Sequence, residues 1–274
     1  MCIIMEKKHP VEIVSLVLLF ILTTWWVVLF FGYKASLEFP NLVWAASYQV
    51  VAMWGVVWGF IMGHRWGGFR SIVGRSIYFF ALGLLFQVLG QSVFSIYGIF
   101  LQREIPYPSI ADFGFFGSIF LYIIAVVELG RAAGAGSLLK SFTHKAWATI
   151  LPLCMLIGSY AFFLRDYQFD WSQPIKIVLD FGYPLGQATY VSLAILVYLL
   201  SKNFLGGIMK TKVLIVLVAL IIQYIADFNF LYQFDRETWI NGGYGDFLYL
   251  ISYFVMSFGL IQLGTTLEKI RKNT

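Results

Sequence analysis

The residues able to do chemistry in this chain are few, and they are carboxylates and amides set in apolar surroundings. Asp180 follows Pro174, Ile175, Ile177, Val178 and Leu179, and Asp227 sits among Tyr224, Ile225, Ala226 and Phe228. An ionisable side chain inside an apolar run is costly, and by default it marks a functional site. The alternative is hydrogen bonding that merely joins helices. Gln87 and Gln91 are four residues apart, as are Gln223 and Asp227, and Asp180 and Gln187 are one heptad apart, so each pair lies on one helix face. Pro184 removes a helical N–H and its ring crowds the carbonyl of Asp180, so a kink or break is expected there. Asp112 and Asp246 have a competing explanation. Ser109-x-x-Asp112 fits a capping box, and Asp246 follows glycines at a helix start, where the dipole favours a negative charge.

Carboxylates with aromatic walls suit a small cation or an amphipathic amine. The ligand-binding candidates are therefore Asp180, Asp227, Asp112, Asp246, Gln87, Gln91, Gln187, Gln223 and Tyr183. Trp171, Phe181, Phe228, Phe230, Tyr232, Trp239, Tyr244 and Tyr249 fall at the same level as Tyr183. Most are expected to form the interfacial belt that anchors a membrane protein, and some to face inward beside the acids. Catalytic and metal chemistry find no support. His9, His64 and His144 fall on the side away from the acids, Cys2 and Cys154 have no partner nearby, and no HExxH, CxxC, Walker or GxSxG pattern occurs. The glycines of 63–68 and 114–117 lack a strand–turn–helix context. No lysine lies mid-span for a retinal Schiff base. The expectation is a protein with no enzymatic activity, cofactor or metal.

The elements that must position these groups follow from composition. Of 274 residues, 60% are hydrophobic and only 12% charged. A soluble domain of this length is about a quarter charged, so the excess apolar surface here must face lipid. Continuous apolar runs of about 20 residues read as membrane-spanning helices rather than barrel strands. Eight are expected, near 12–32, 42–63, 73–100, 110–130, 146–165, 175–200, 211–233 and 244–265. The first is too long for a signal-peptide core and is read as an uncleaved span.

Charge sets the orientation. With the N-terminus inside, 14 of the 19 basic residues fall in inner segments, while Asp112, Asp180, Asp227, Asp246 and most other acids fall outside. The fold class expected is all-α: a polytopic transmembrane bundle in the plasma membrane with both termini cytoplasmic. The mild basicity reflects this topology, so nucleic acid is not an expected partner. Residues 1–274 read as one membrane domain, with two added spans over 1–72, a six-span core over 73–265 and a short basic tail over 266–274.

The core carries an internal likeness. Asp112, Phe113, Ser118, Phe120, Leu129 and Gly130 align with Asp246, Phe247, Ser252, Phe254, Leu263 and Gly264, and the spans before them carry Gln87/Gln91 and Gln223/Asp227. Asp180-Phe181-Gly182-Tyr183-Pro184 supplies a third version. Spans three to eight are thus read as three related hairpins.

Pro106-Tyr107-Pro108-Ser109-Ile110-Ala111-Asp112-Phe113, Asp180-Phe181-Gly182-Tyr183-Pro184-Leu185-Gly186 and Gly245-Asp246-Phe247-Leu248-Tyr249 resemble short signatures of a known kind. They are similar to those in polytopic sensory regions of bacterial signalling proteins, which precede diguanylate cyclase (GGDEF-type) or histidine kinase domains. The resemblance covers about 73–265. It implies a membrane sensor that passes a signal to a cytoplasmic output, expected here to come from a separate partner or to be absent, since only a short tail follows span eight. Two other functions fit an acid-bearing helical bundle: a small proton- or cation-coupled secondary transporter, and a membrane scaffold or assembly subunit.

Overall fold

The computed structural model describes residues 9–32, 39–134, 142–165, 167–201, 207–236 and 238–273. Among them there is no strand, and eight helical segments are long and apolar enough to cross a membrane. The chain is a multi-pass membrane protein. Helix is the form such segments must take, because lipid offers no partner for a free backbone N–H or C=O.

The helices are α1 (Pro10–Gly32), α2 (Phe39–Ser47), α3 (Gln49–Arg65), α4 (Ile72–Ser95, extended by a π turn over Ile96–Phe100), α5 (Ile110–Ala132), α6 (Phe142–Phe163), α7 (Pro174–Ser201), α8 (Gly207–Asp235) and α9 (Tyr244–Asn273). Helices α2 and α3 together make the second span. Boundaries agree with the hydropathy reading to within a few residues at every span.

Packing closes six of these into a ring in the order α3, α4, α5, α7, α8, α9 and back to α3. Helix α1 lies outside against α9 and α2, and α6 lies outside against α7. Span two thus belongs to the ring and span five does not, so ring membership cuts across the division at residue 72. The outer pair present apolar side chains such as Phe20, Phe31, Ile150 and Ile157 outward, where lipid solvates them.

Helix α1 is nevertheless tied down by specific bonds. Trp44 Nε1 donates to the Leu22 carbonyl at 2.9 Å, and Trp26 Nε1 to that of Gly242 at 3.0 Å. Thr265 donates to the buried Glu12 at 3.2 Å. That bond puts the start of α1 and the distal part of α9 at one end of the bundle. At this terminal end Glu128 of α5 receives Arg75 of α4 at 3.1 Å and Arg131 at 3.2 Å. The opposite end carries the connections 101–109, 164–173 and 236–243.

Close helix contact depends on small residues, as in membrane bundles generally. Helices α4 and α5 approach most tightly at Gly114. A Cβ there would lie 2.6 Å from the Phe86 carbonyl oxygen and 2.9 Å from Gly90 Cα, both backbone atoms that no rotamer change can move. Gly114→Ala is therefore expected to force the two helices apart at a cost of about 1–3 kcal/mol, read as a lower unfolding midpoint in detergent. Gly114→Ser should cost at least as much.

Of the kink or break expected at Pro184, the break does not occur. Helix α7 runs unbroken from Pro174 to Ser201 with Pro184 inside it. Neighbouring helices hold a proline-bearing span in place. Here Gly182 and Gly186 let α5 close in, with Phe116 and Ile119 seated against them.

Candidate functional site

Helices α5, α7 and α9 all start at the end away from the termini, and each begins with the same arrangement. An aspartate is followed three and seven residues later by a second and third side chain on the same face. The sets are Asp112, Phe115, Ile119; Asp180, Tyr183, Gln187; and Asp246, Tyr249, Tyr253. All nine line one cavity of about 560 Å³. Helix α4 adds Gln87, Gln91 and Phe94, and α8 adds Asp227 and Phe230 with the same spacing as Gln91 and Phe94. The cavity opens among residues of the cavity-end connections, Ile105 to Tyr107, Tyr167 and Trp239.

Asp112 caps its helix, as the sequence allowed, and also bonds across to α7. Its Oδ2 accepts the Ser109 backbone N–H at 2.6 Å and the Ser109 hydroxyl at 3.2 Å, completing a capping box at the start of α5. Its Oδ1 accepts the Tyr183 hydroxyl at 2.7 Å from α7. Asp246 divides its oxygens in the same way. Oδ2 accepts the Gly242 N–H at 2.7 Å, and Oδ1 accepts the Tyr48 hydroxyl at 3.0 Å from the α2–α3 junction. Gly242 turns the chain into α9 with φ of 73°, a left-handed conformation natural to glycine.

Asp227 is the most heavily bonded. It accepts Tyr190 at 3.1 Å, Tyr249 at 2.9 Å and Gln223 at 3.0 Å, joining α7, α9 and its own helix. Asp180 is half-buried and accepts Tyr107 at 2.7 Å and Tyr167 at 2.8 Å, each from a connection at the mouth. Burial first, then the hydrogen bond and charge of Asp180, push the Tyr107 phenol up. It therefore stays a donor throughout the physiological range. The Tyr167 phenol is pushed up to about 12 by the same causes in the same order.

The amides form a second layer. Gln87 donates to Ser118 at 2.8 Å and accepts Tyr253 at 3.1 Å. Gln223 accepts Ser252 at 2.7 Å. Gln91 donates to the Ala45 carbonyl at 3.1 Å. Of the nine residues singled out from sequence, eight line the cavity; Gln223 lies behind Asp227 and braces it.

Four aspartates thus share one cavity, each held by at least one tyrosine hydroxyl, and none is ion-paired among the described residues. Lys176 also lines the cavity, so the lining carries more acid than base. Among the described residues no three His, Cys, Asp or Glu side chains come together in a metal-holding group. The carboxylates are distributed around the walls instead. No protein-family model, curated protein or solved structure matches the chain.

Sequence reasoning missed most of the tyrosine partners. Tyr48, Tyr107, Tyr167, Tyr190 and Tyr253 were not among the candidates. A signal existed for two of them: Tyr190 lies three residues beyond Gln187 on the acid-bearing face of α7, and Tyr253 lies seven beyond Asp246. Of the aromatics expected at this level, Tyr183, Phe230, Trp239 and Tyr249 face the cavity, while Trp171, Tyr232 and Tyr244 are exposed.

Proposed function

We propose that the chain is a membrane sensor or ligand-binding module whose cavity takes a small cationic ligand and faces outward across the plasma membrane. One observation carries this reading: four aspartates line a single cavity in the company of aromatic rings, against one lysine, and none of them is ion-paired among the described residues. Carboxylates so placed attract an ammonium group, and ring faces add cation–π attraction. The basic residues gathered at the terminal end support a cytoplasmic placement of both termini. The repeated Asp faces of α5, α7 and α9, with the matching Gln87–Ser118 and Gln223–Ser252 bonds, support descent from a repeated hairpin.

Binding without passage is favoured over transport. Beyond the cavity floor the ring is filled by Phe80, Leu84, Tyr122, Leu217 and Leu220, all fully buried. A signal would travel along rigid helices instead. Helix α5 carries Asp112 at the cavity and Glu128, clamped by two arginines, at the other end. A cytoplasmic partner would read the change at that end.

A panel of primary and quaternary amines tests the proposal through unfolding temperature in nanodiscs. A bound amine at a hundredfold excess over its Kd should stabilise the protein by about 2.7 kcal/mol, whereas matched alkyl carboxylates should not. Stabilisation by the carboxylates instead would overturn the reading.

A further inference from the structure

The cavity has two chemical ends. Its inner walls carry the aspartates, tyrosines and glutamines. Its flank is hydrocarbon: on α8, Phe230, Leu231 and Phe234 follow Asp227 along one face, and Phe162 and Phe163 of α6 stand opposite them in the lining. Helix α6 lies outside the ring against α7, and it meets α8 through Phe162 and Phe163, whose ring centroids lie 5.7 and 4.8 Å from that of Phe228.

Two cavity-lining side chains on this flank also face away from the protein, Phe162 with 75% of its surface exposed and Phe234 with 51%. Phe234 ends its span, Thr211–Phe234, and Phe162 stands one residue before the end of its own, Lys145–Phe163. This flank of the cavity therefore lies level with the boundary between hydrocarbon and headgroups. At this boundary an amphipath holds its polar head and extends its chain into the leaflet.

We propose that the cavity takes an amphipathic amine from the adjoining leaflet, with its ammonium group at Asp180 and its hydrocarbon chain lying between α6 and α8 along Phe163 and Phe230. This rests on the amine-binding reading above and adds the ligand's class and its route of entry. Asp180 is the natural anchor. A carboxylate offers about four acceptor positions; Tyr107 and Tyr167 occupy two of those on half-buried Asp180, whereas Asp112 and Asp227 each accept three bonds and Asp246, with two, is buried. The scattered carboxylates suit a bulky head better than a bare ion.

Calorimetric titration of the full chain in amphipol with butylamine, hexylamine, octylamine and decylamine tests the idea. The same titrations on protein-free amphipol report uptake by the amphipol alone. Affinity of the wild type above that background is expected to rise about fourfold per methylene, the factor for burying a methylene from water. A Phe163→Ala, Phe230→Ala double variant should lose most of the chain-length increment, read as the ratio of decylamine to butylamine affinity within that variant. Binding of all four amines with equal affinity would overturn the lateral route and leave the amine site standing. Failure of every amine to bind would overturn both.

Discussion

Replacing Asp227 by alanine is expected to lower the unfolding free energy by about 1–3 kcal/mol, since hydrogen bonds between membrane helices are worth roughly 0.6–1.7 kcal/mol each and two are lost, along with the Gln223 bond within α8. Tyr190, Tyr249 and Gln223 would all be left without their acceptor. The bonds tie α7, α8 and α9 together at one atom pair, and these helices supply half of the ring. A donor stranded in a buried site costs more than the bond it made, because water cannot replace the partner. Asp227→Asn keeps one acceptor oxygen and should lose less. Its NH₂ group, however, would face a tyrosine hydroxyl that must then turn to accept. Unfolding followed by helical circular dichroism in detergent gives the order wild type, Asn, Ala. Equal stability of wild type and Asp227→Ala would mean that the tyrosine bonds contribute nothing.

Asp180→Asn has the opposite profile. Its partners Tyr107 and Tyr167 reach it from connections rather than from packed helices, and it is only half-buried. Stability should change little. Amine affinity should fall at least about 30-fold, the low end of the 2–5 kcal/mol that follows removal of one member of a desolvated charge pair. On the proposed reading the two aspartates would separate two roles within one cavity: Asp227 holding the walls together, and Asp180 offering charge to a ligand. A variant pair in which Asp180→Asn unfolded the protein while Asp227→Ala abolished only binding would reverse that assignment.

Much of the architecture was legible because lipid imposes simple demands. Eight apolar runs became eight spans with small shifts at their ends, since length and hydropathy alone decide what crosses a bilayer. The acids were legible for the same reason: in a chain so poor in charge, Asp180 and Asp227 stand out against their neighbours. What stayed hidden was lateral order. Periodicity places Gln87 and Gln91 on one face of α4 but cannot say that this face meets Ser118 and Ala45. Nor does anything in span two announce that Tyr48, at the break between α2 and α3, reaches Asp246 nearly two hundred residues away. Tyrosines in a chain with 16 of them merge into the expected interfacial belt until the helices are packed. Pro184 misled because a proline inside an isolated helix weakens it, whereas here the glycines on either side let α5 press against the same turn and keep it helical.

The dual use of Asp112 and Asp246 bears on how such a site can be read at all. Capping and ligand binding look like rival explanations when only spacing is known. A carboxylate has two oxygens, however, and in both cases Oδ2 serves the backbone while Oδ1 turns toward the cavity and takes a tyrosine. Capping fixes the rotamer, and the fixed rotamer presents the second oxygen. Capping is thus what aims the second oxygen at its tyrosine.

The central claim is that the cavity binds a cation and does not pass it. Proteoliposomes holding wild type or Asp180→Asn can be assayed in one preparation for saturable binding of a labelled primary amine and for its uptake into the lumen. The account predicts saturable binding by the wild type, loss of that binding in Asp180→Asn, and uptake no faster than into empty liposomes for both. Uptake above the empty-liposome rate that disappears in Asp180→Asn would contradict it and make Asp180 a transport carboxylate.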